Sequence, residues 1–458
     1  MVFAARQLQE KCQEQNVGLY STYVDLTKAF DTVSRDGLWK IMHKYGCPSK
    51  FVSMVRQFHD GMEARVQDDG EFSEAFSVSN GVKQGCVLAP TLFSLMFSAM
   101  LTDAFRDGDV GIKFNYRTDG RLFNLRRLQA KTKIMTDIIR DFLFADDCAL
   151  NASTEADMQC SVDKFSRACS DFGLTISIKK TEVLHQPAPG RVYVQPNVTV
   201  NDERLKSVDR FTYLGSTLSQ NTTIDEEVNT RLARASAAFG RLQSTVWNRR
   251  GIGLQTKLKV YRAAILPTLL YASETWTVYQ RHARKLNHFH TTCLRRLLNI
   301  KWQDRIPDTE VLARADLPSI YTILMQHQLR WAGHVVRMPE NRLPKRIFFG
   351  ELQEGKRSVG GQKKRFKDTL KVSLKAFGID PASWETVALN RSHWRSALHK
   401  GASRCEENRT LAAEQRRQAR KSRANAPSAS QDFSIKCPQC VRTFKAHIGL
   451  IRHLRNKH

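Results

Sequence analysis

Three things are scarce in this sequence, and each scarcity narrows what the chain can be. Long apolar runs come first: the best candidate, Leu92 to Leu101, is far shorter than the about 18 residues of a spanning helix, so no membrane partner is expected. A secretory leader is second, because the opening stretch MVFAARQLQEKCQEQ has no apolar core ahead of its charged and amide side chains. Paired cysteines are third. The 10 cysteines are scattered, apart from Cys437 and Cys440, which is unlike a secreted disulfide framework, so an intracellular, reducing setting is expected. Acidic charge is in the minority too: 45 Asp and Glu face 72 Lys and Arg, for a net charge of +27. That surplus is spread over most of the chain and favours a polyanionic partner, most simply a nucleic acid.

What is present begins with an interruption. Phe142-Leu143-Phe144 and Cys148-Ala149-Leu150 read as two short apolar strands, and between them stand Ala145, Asp146 and Asp147. Two like charges at a tight turn repel each other and lose hydration, and a bound divalent cation relieves both penalties. Magnesium takes hard oxygen ligands, often one or two carboxylates together with substrate phosphates, so the stretch suggests metal-dependent phosphoryl transfer. A solvated Asp-Asp turn is the alternative. Leu19 to Val24, rich in aromatic and β-branched residues, predicts a strand that delivers Asp25 at its end, either facing a cleft or capping a helix before Leu26. Helices are expected at Val2 to Gln15, Arg35 to Tyr45, Pro48 to His59, Pro90 to Phe105 and Glu155 to Phe172, with a strand at Leu174 to Ile178 and hairpin material at Val192 to Val200 and Phe211 to Leu218. Gly81 and Gly85 flank Lys83 and Gln84 just ahead of a helix start, where backbone can approach a phosphate closely.

Five motifs resemble those of reverse transcriptases of non-LTR retrotransposons, in the same order and at similar spacing: YVDLTKAFDTV from Tyr23, GVKQGCVLAPTLF from Gly81, FADD from Phe144, GLTISIKKTEV from Gly173 and FTYLGS from Phe211. The resemblance implies that Asp25 and Asp146 are the principal ligands of two Mg2+ ions, with Asp147 the second acid of the turn. It implies further that Phe30 is the gate against a ribose 2′-hydroxyl, that Gln84 and Gly85 meet the incoming nucleotide and template, and that Lys180 lies near the leaving pyrophosphate. Tyr213-Leu214-Gly215 corresponds to the turn that grips the primer. The family also carries a basic fingers region ahead of the strand bearing Asp25. Here about two dozen residues precede Asp25, with Arg6 and Lys11 their only basic side chains, so an N-terminally truncated, weak or inactive polymerase is expected, with Lys83, Lys180 or the stretch Gly355 to Lys367 compensating in part.

Downstream, Thr223 to Trp247 predicts an amphipathic helix with Leu232, Ala235, Phe239 and Leu242 on one face and Arg231, Arg234 and Arg241 on an adjacent one, laid along a duplex if it is a thumb. Cys437, Cys440, His453 and His458 form CX2CX12HX4H, the spacing of a ββα zinc finger, with Phe444 and Leu450 as its small core. Of the helix positions that meet bases in such fingers, Ala446, Gly449 and Arg452, only the arginine offers a strong contact.

The fold expected is α+β: a reverse-transcriptase palm (split βαβ, antiparallel sheet with helices) over residues 1–220, a thumb-like helical region over 221–300, a basic helical extension over 301–409, a charged helix and linker over 410–432 and a zinc finger over 433–458. The function expected is RNA-directed DNA polymerase of a non-LTR retrotransposon, using two Mg2+ and one Zn2+, with an RNA template, a DNA primer or target and dNTPs as partners, and the nucleus as the compartment the resemblance suggests. Two other readings stay open: an inactive nucleic-acid-binding protein that keeps the palm and finger, and a zinc-finger regulator, which the small share of the chain given to the finger disfavours.

Overall fold

Strand β1 (Leu19–Val24) forms where the sequence is richest in aromatic and β-branched residues, and it becomes the centre of a five-stranded sheet. The computed structural model describes all residues except 107, 109, 131, 358–362, 426–434, 445 and 458, and the backbone alone of 423–425. The further strands are β2 (Ile112–Tyr116), β3 (Met135–Ile139), β4 (Asp141–Phe144), β5 (Asp147–Ala152), β6 (Glu182–Gln186) and β7 (Lys206–Ser207). The sheet runs β7-β6-β1-β5-β4, antiparallel throughout except for the parallel β6–β7 pair. Its register sets Val24 opposite Cys148 and Tyr23 opposite Glu182.

Because side chains alternate along a strand, the sheet has two faces with different partners. Val24, Cys148, Leu150 and Val183 point into one core with Phe93, Met96 and Phe97 of helix α2 (Ala89–Ala104) and Met158, Val162 and Phe165 of helix α3 (Glu155–Asp171). Thr154 starts α3 by accepting from the Asp157 amide. Tyr23, Ala149 and Leu184 point the other way, into a core with Ala4, Ala5, Leu8 and Cys12 of helix α1 (Val2–Glu14).

Hairpin β8 (Arg210–Tyr213) and β9 (Ser216–Ser219) leads into helix α4 (Asp225–Arg241). Leu254–Val260 then runs into a π turn, Tyr261–Ile265, just before Pro267. A proline cannot donate to the preceding turn, and the widened turn accommodates it. Helix α5 (Gln280–Leu297) and helix α6 (Ile320–Arg337) complete a helical core around Tyr261, Trp276, Leu286 and Ile320. Strand β10 (Gly350–Leu352) pairs with β2, so the region expected to be a helical extension supplies the edge of a second sheet, β10-β2-β3. The tryptophans expected there, Trp384 and Trp394, are buried in a further core, and a Cβ on Gly333 would fall 2.2 Å from the Trp394 indole nitrogen. Met1–Glu406 forms one compact unit and Glu407–His458 a second. Helix α7 (Arg391–Asn425) covers the stretch expected to be a charged helix.

Two expectations fail locally. Leu174 to Ile178 is not a strand: beyond the bonds of Thr27 to Thr175 and of Ser177 to Asp25, only Ile176 forms a bridge, to Leu26. That segment flanks the residues that leave β1, where the sheet has ended. Of Val192 to Val200, only Thr199–Val200 pairs, with Glu203–Arg204, and Val192 and Val194 stay exposed.

Candidate active site

Phe144 pairs with Asp147, so β4 and β5 are joined by two loop residues, Ala145 and Asp146. Ala145 sits at φ +54 while Asp146 does not share the positive value, the pattern of a type II′ turn, in which glycine is the usual first residue. An alanine there costs about 1 kcal/mol. The turn places Asp146 at the tip and Asp147 at the first position of β5.

Asp25 comes directly after the last residue of β1. One step beyond the Val24–Cys148 pair, the antiparallel register brings it beside Asp147. Desolvation, and beyond it the charges of Asp146 and Asp25, push the Asp147 carboxyl above the usual carboxylate range. The Asp25 amide donates to Thr181 Oγ1 at 3.2 Å, and Lys180 Nζ lies 3.5 Å from Asp25 Oδ2. That oxygen is itself buried and accepts no hydrogen bond. Three carboxylates at the ends of two neighbouring strands, one with a buried oxygen that accepts no hydrogen bond and one raised above its ordinary range by burial and by the other two, form a donor set suited to a hard divalent cation. Their ligand atoms do not close to a common point. Among the described residues, the one set of three His, Cys, Asp or Glu ligand atoms within 4.8 Å of one another is Cys437, Cys440 and His453.

The other expected residues surround this hairpin. Phe30 is half-buried with its ring 4.7 Å from that of Phe93. Its carbonyl accepts from the Val82 amide, and the Val33 carbonyl accepts from the Gly81 amide, so the loop carrying Gln84 and Gly85 is tied to the segment that carries Phe30. Gly81 is obligatory: at φ +84, a Cβ would meet the Asp31 carbonyl oxygen at 2.6 Å. Gln84 and Gly85 are exposed, and Gly85 has φ +87. Leu214 and Gly215 form the turn of the β8–β9 hairpin, both with positive φ. Tyr213 is buried and its hydroxyl donates to the Phe142 carbonyl of β4 at 3.3 Å, which joins this hairpin to the one bearing Asp146.

The expected basic contacts are partly corrected. Arg231 does not lie along an open surface; it is buried against Glu227, with Nε to Oε1 at 2.8 Å and Nη2 donating to the Gly215 carbonyl. Arg6 and Lys11 are buried as well, Arg6 on Ser216 and Thr217, Lys11 on Gly350 and Glu351. Lys367, at the end of the expected compensating stretch, is buried against Glu351 at 2.8 Å, and residues 358–362 of that stretch lie outside the described residues. Arg234 and Arg241 are exposed. The Arg231–Glu227 pair was legible only as an i, i+4 spacing, which says nothing of burial.

In the second unit, strands β11 (Ile435–Lys436) and β12 (Thr443–Phe444) precede helix α8 (His447–Lys457). Cys440 Sγ lies 3.1 Å from His453 Nε2, Leu450 is buried and the Phe444 ring sits 4.9 Å from that of His453. His458 lies outside the described residues. Ala446 and Arg452 are exposed.

Residues 3–218 match the family described as reverse transcriptase (RNA-dependent DNA polymerase). An uncharacterised transposon-derived protein of Caenorhabditis elegans is 26% identical over 270 residues, 57% of this chain and 95% of that one. The RNA-directed DNA polymerase from mobile element jockey of Drosophila funebris is 24% identical over 297 residues, 63% of this chain and 29% of its own length. The Pol polyprotein of the type-2 retrotransposable element R2DM of Drosophila melanogaster is 24% identical over 330 residues, 70% of this chain and 27% of its own. The chain thus spans less than a third of the jockey and R2 proteins.

Proposed function

We propose that this chain, whose residues 3–218 match the reverse transcriptase family and which is similar to polymerases of the jockey and R2 elements, is an RNA-directed DNA polymerase that extends a primer 3′-hydroxyl with dNTPs on an RNA template. The observation that carries the proposal is the gathering of Asp25, Asp146 and Asp147 at the ends of adjacent strands, with a buried Asp25 oxygen that accepts no hydrogen bond and has Lys180 as its ionic neighbour. Those three side chains would hold two divalent cations, which supply an activated 3′-hydroxyl and a stabilised leaving oxygen.

The chain's own residues do the rest. Lys180, exposed beside Asp25, offers a positive charge to the departing pyrophosphate. Phe30, fixed by Phe93, fills the space a ribose 2′-hydroxyl would need. The exposed Gln84-Gly85 backbone meets the incoming nucleotide and template, and Tyr213-Leu214-Gly215 holds the primer end near Asp146. Exposed Arg234 and Arg241 lie along the duplex backbone. In the second unit, Cys437, Cys440 and His453, with His458 as fourth ligand, form a C2H2 zinc finger whose one base-directed cation is Arg452.

Primer extension with Mg2+ on separate RNA and DNA templates tests the reading. Synthesis on RNA that disappears in Asp146→Asn supports it. Tight RNA binding with no extension under any metal would instead favour a nucleic-acid-binding protein that keeps the fold without the reaction.

A further inference from the structure

The turn carrying Leu214 and Gly215 is held from outside by a buried charge cluster. Glu227 of α4 is fully buried; its Oε2 accepts the Thr217 amide at 2.6 Å and its Oε1 accepts from Ser216 Oγ at 3.3 Å and Arg231 Nε at 2.8 Å. Arg231 passes on to the Gly215 carbonyl, and its guanidinium lies over the Tyr271 ring, 4.6 Å from the centroid. Tyr271 donates its hydroxyl to the Leu214 carbonyl at 2.9 Å. Arg6 of α1 also donates to Ser216 Oγ at 3.0 Å and to the Thr217 carbonyl at 2.9 Å.

Two guanidinium groups around one carboxylate are a poor route to stability, because desolvating them offsets most of their attraction, and apolar side chains of similar volume would serve as well. What the cluster gives is direction. It fixes the carbonyls of Leu214, Gly215 and Thr217 and the amide of Thr217, and so fixes a turn whose two residues both need positive φ. One residue before that turn, the Tyr213 hydroxyl reaches the Phe142 carbonyl, and β4 runs from Phe142 into the turn that carries Asp146.

We propose that Arg6, Glu227, Arg231 and Tyr271 are positioning residues that set the catalytic hairpin through the Leu214–Gly215 turn, so that the placement of α4 decides the placement of Asp146. The helix proposed to track the duplex is thereby linked mechanically to the carboxylates. The meaning of this link for primer use rests on the polymerase reading; the link itself does not.

The test uses the full chain and two readouts. Tyr271→Phe removes one hydroxyl from a half-exposed ring and keeps the fold; Glu227→Gln keeps the volume but removes the charge between the two arginines. The first readout is amide hydrogen exchange of peptides spanning Phe142 to Cys148, which needs no activity. Exchange there should quicken about fivefold in Tyr271→Phe, the weight of one lost hydrogen bond, and more in Glu227→Gln. In primer extension, Tyr271→Phe should raise KM for primer-template by a similar factor with KM for dNTP unchanged. Unchanged exchange over Phe142 to Cys148 in a folded Tyr271→Phe chain overturns the proposal. A wild-type chain without extension would count against the polymerase reading alone, since the exchange result still decides the link.

Discussion

Lys180 Nζ stands 3.5 Å from Asp25 Oδ2, and that oxygen accepts no hydrogen bond. The lysine therefore lies against the same carboxylate that the proposed mechanism gives to a cation, while its own side chain is largely open to solvent. An exposed pair of this kind adds about 1 kcal/mol or less to stability. In the proposed reaction the same charge would count for more. Lys180→Ala is expected to leave the melting temperature in place and to lower kcat by about a hundredfold, the usual cost of removing a charge aimed at a developing anion. Stopped-flow single-nucleotide incorporation checks it.

Asp146→Asn should remove Mg2+-dependent extension, a fall of at least about a thousandfold, because it deletes a ligand charge where the cations would sit. RNA affinity, measured by fluorescence anisotropy, should stay within about twofold, since the basic surface is untouched. Undiminished extension would place the reaction elsewhere.

Arg231 and Arg234 should behave in opposite ways although both lie on α4. Arg231→Ala leaves Glu227 buried without its partner, and a loss of about 3 to 5 kcal/mol in denaturant unfolding is expected. Arg234→Ala should leave stability alone and weaken nucleic-acid binding, reducing the slope of log affinity against log salt by about 0.9 if it meets one duplex phosphate. Equal effects on stability would contradict the burial of Arg231.

The second unit should bind one zinc ion per chain, and Cys437→Ser or chelation should release it without shifting the melting of residues 1–406. Metal content by atomic emission and calorimetry on the full chain separate the two effects. A chain that binds no zinc after reconstitution would rule the finger out.

Acid should act on the helical core through two histidines, His290 buried and His327 half-buried. Burial pushes His290 and His327 down to about 4, and their rings meet Tyr261 Oη and Ser273 Oγ, each at 2.8 Å. In the unfolded chain each takes a proton near pH 6.5, in the folded chain only near 4. Their stabilising effect is therefore complete above about pH 6.5 and is lost as pH falls towards 4, by about 1.4 kcal/mol per unit for each. Other groups titrate over the same range, so the comparison is between variants: His327→Gln should lose less stability between pH 7 and pH 5 than the wild type by about that slope. Parallel urea midpoints for the two chains would show that His327 titrates normally.

The sequence made the hairpin bearing Asp146 and Asp147 legible because its signal is local. Two apolar triplets around Asp146 and Asp147 leave few alternatives to a hairpin, and the cluster of Cys437, Cys440 and His453 follows from their spacing along a short hairpin and helix. The burial of Arg231, Arg6 and Lys11 was not legible, because it depends on partners far along the chain; Arg6 meets Thr217, 211 residues away. Strand β10 was hidden for the same reason. Gly350–Leu352 has too few residues to announce a strand and becomes one only because β2 offers an open edge. Leu174 to Ile178 failed in the opposite sense: its composition suits a strand, but it faces residues 25–27, where β1 has already ended.

Helix α1 has a consequence for how the protein is made. It precedes β1, β2, β5 and β10, whose side chains share its core. Lys11 waits for Gly350, 339 residues later, and Glu10 for the Phe366 amide, 356 residues later. At a translation rate of about 5 to 20 residues per second, the helix waits roughly 20 to 70 s for these late partners, and Phe3 waits as long for the rings of Trp331, Phe348 and Phe366. The newborn polypeptide thus exposes an apolar patch while those later residues are made, and its yield in a cell should track chaperone supply more closely than the stability of the finished molecule.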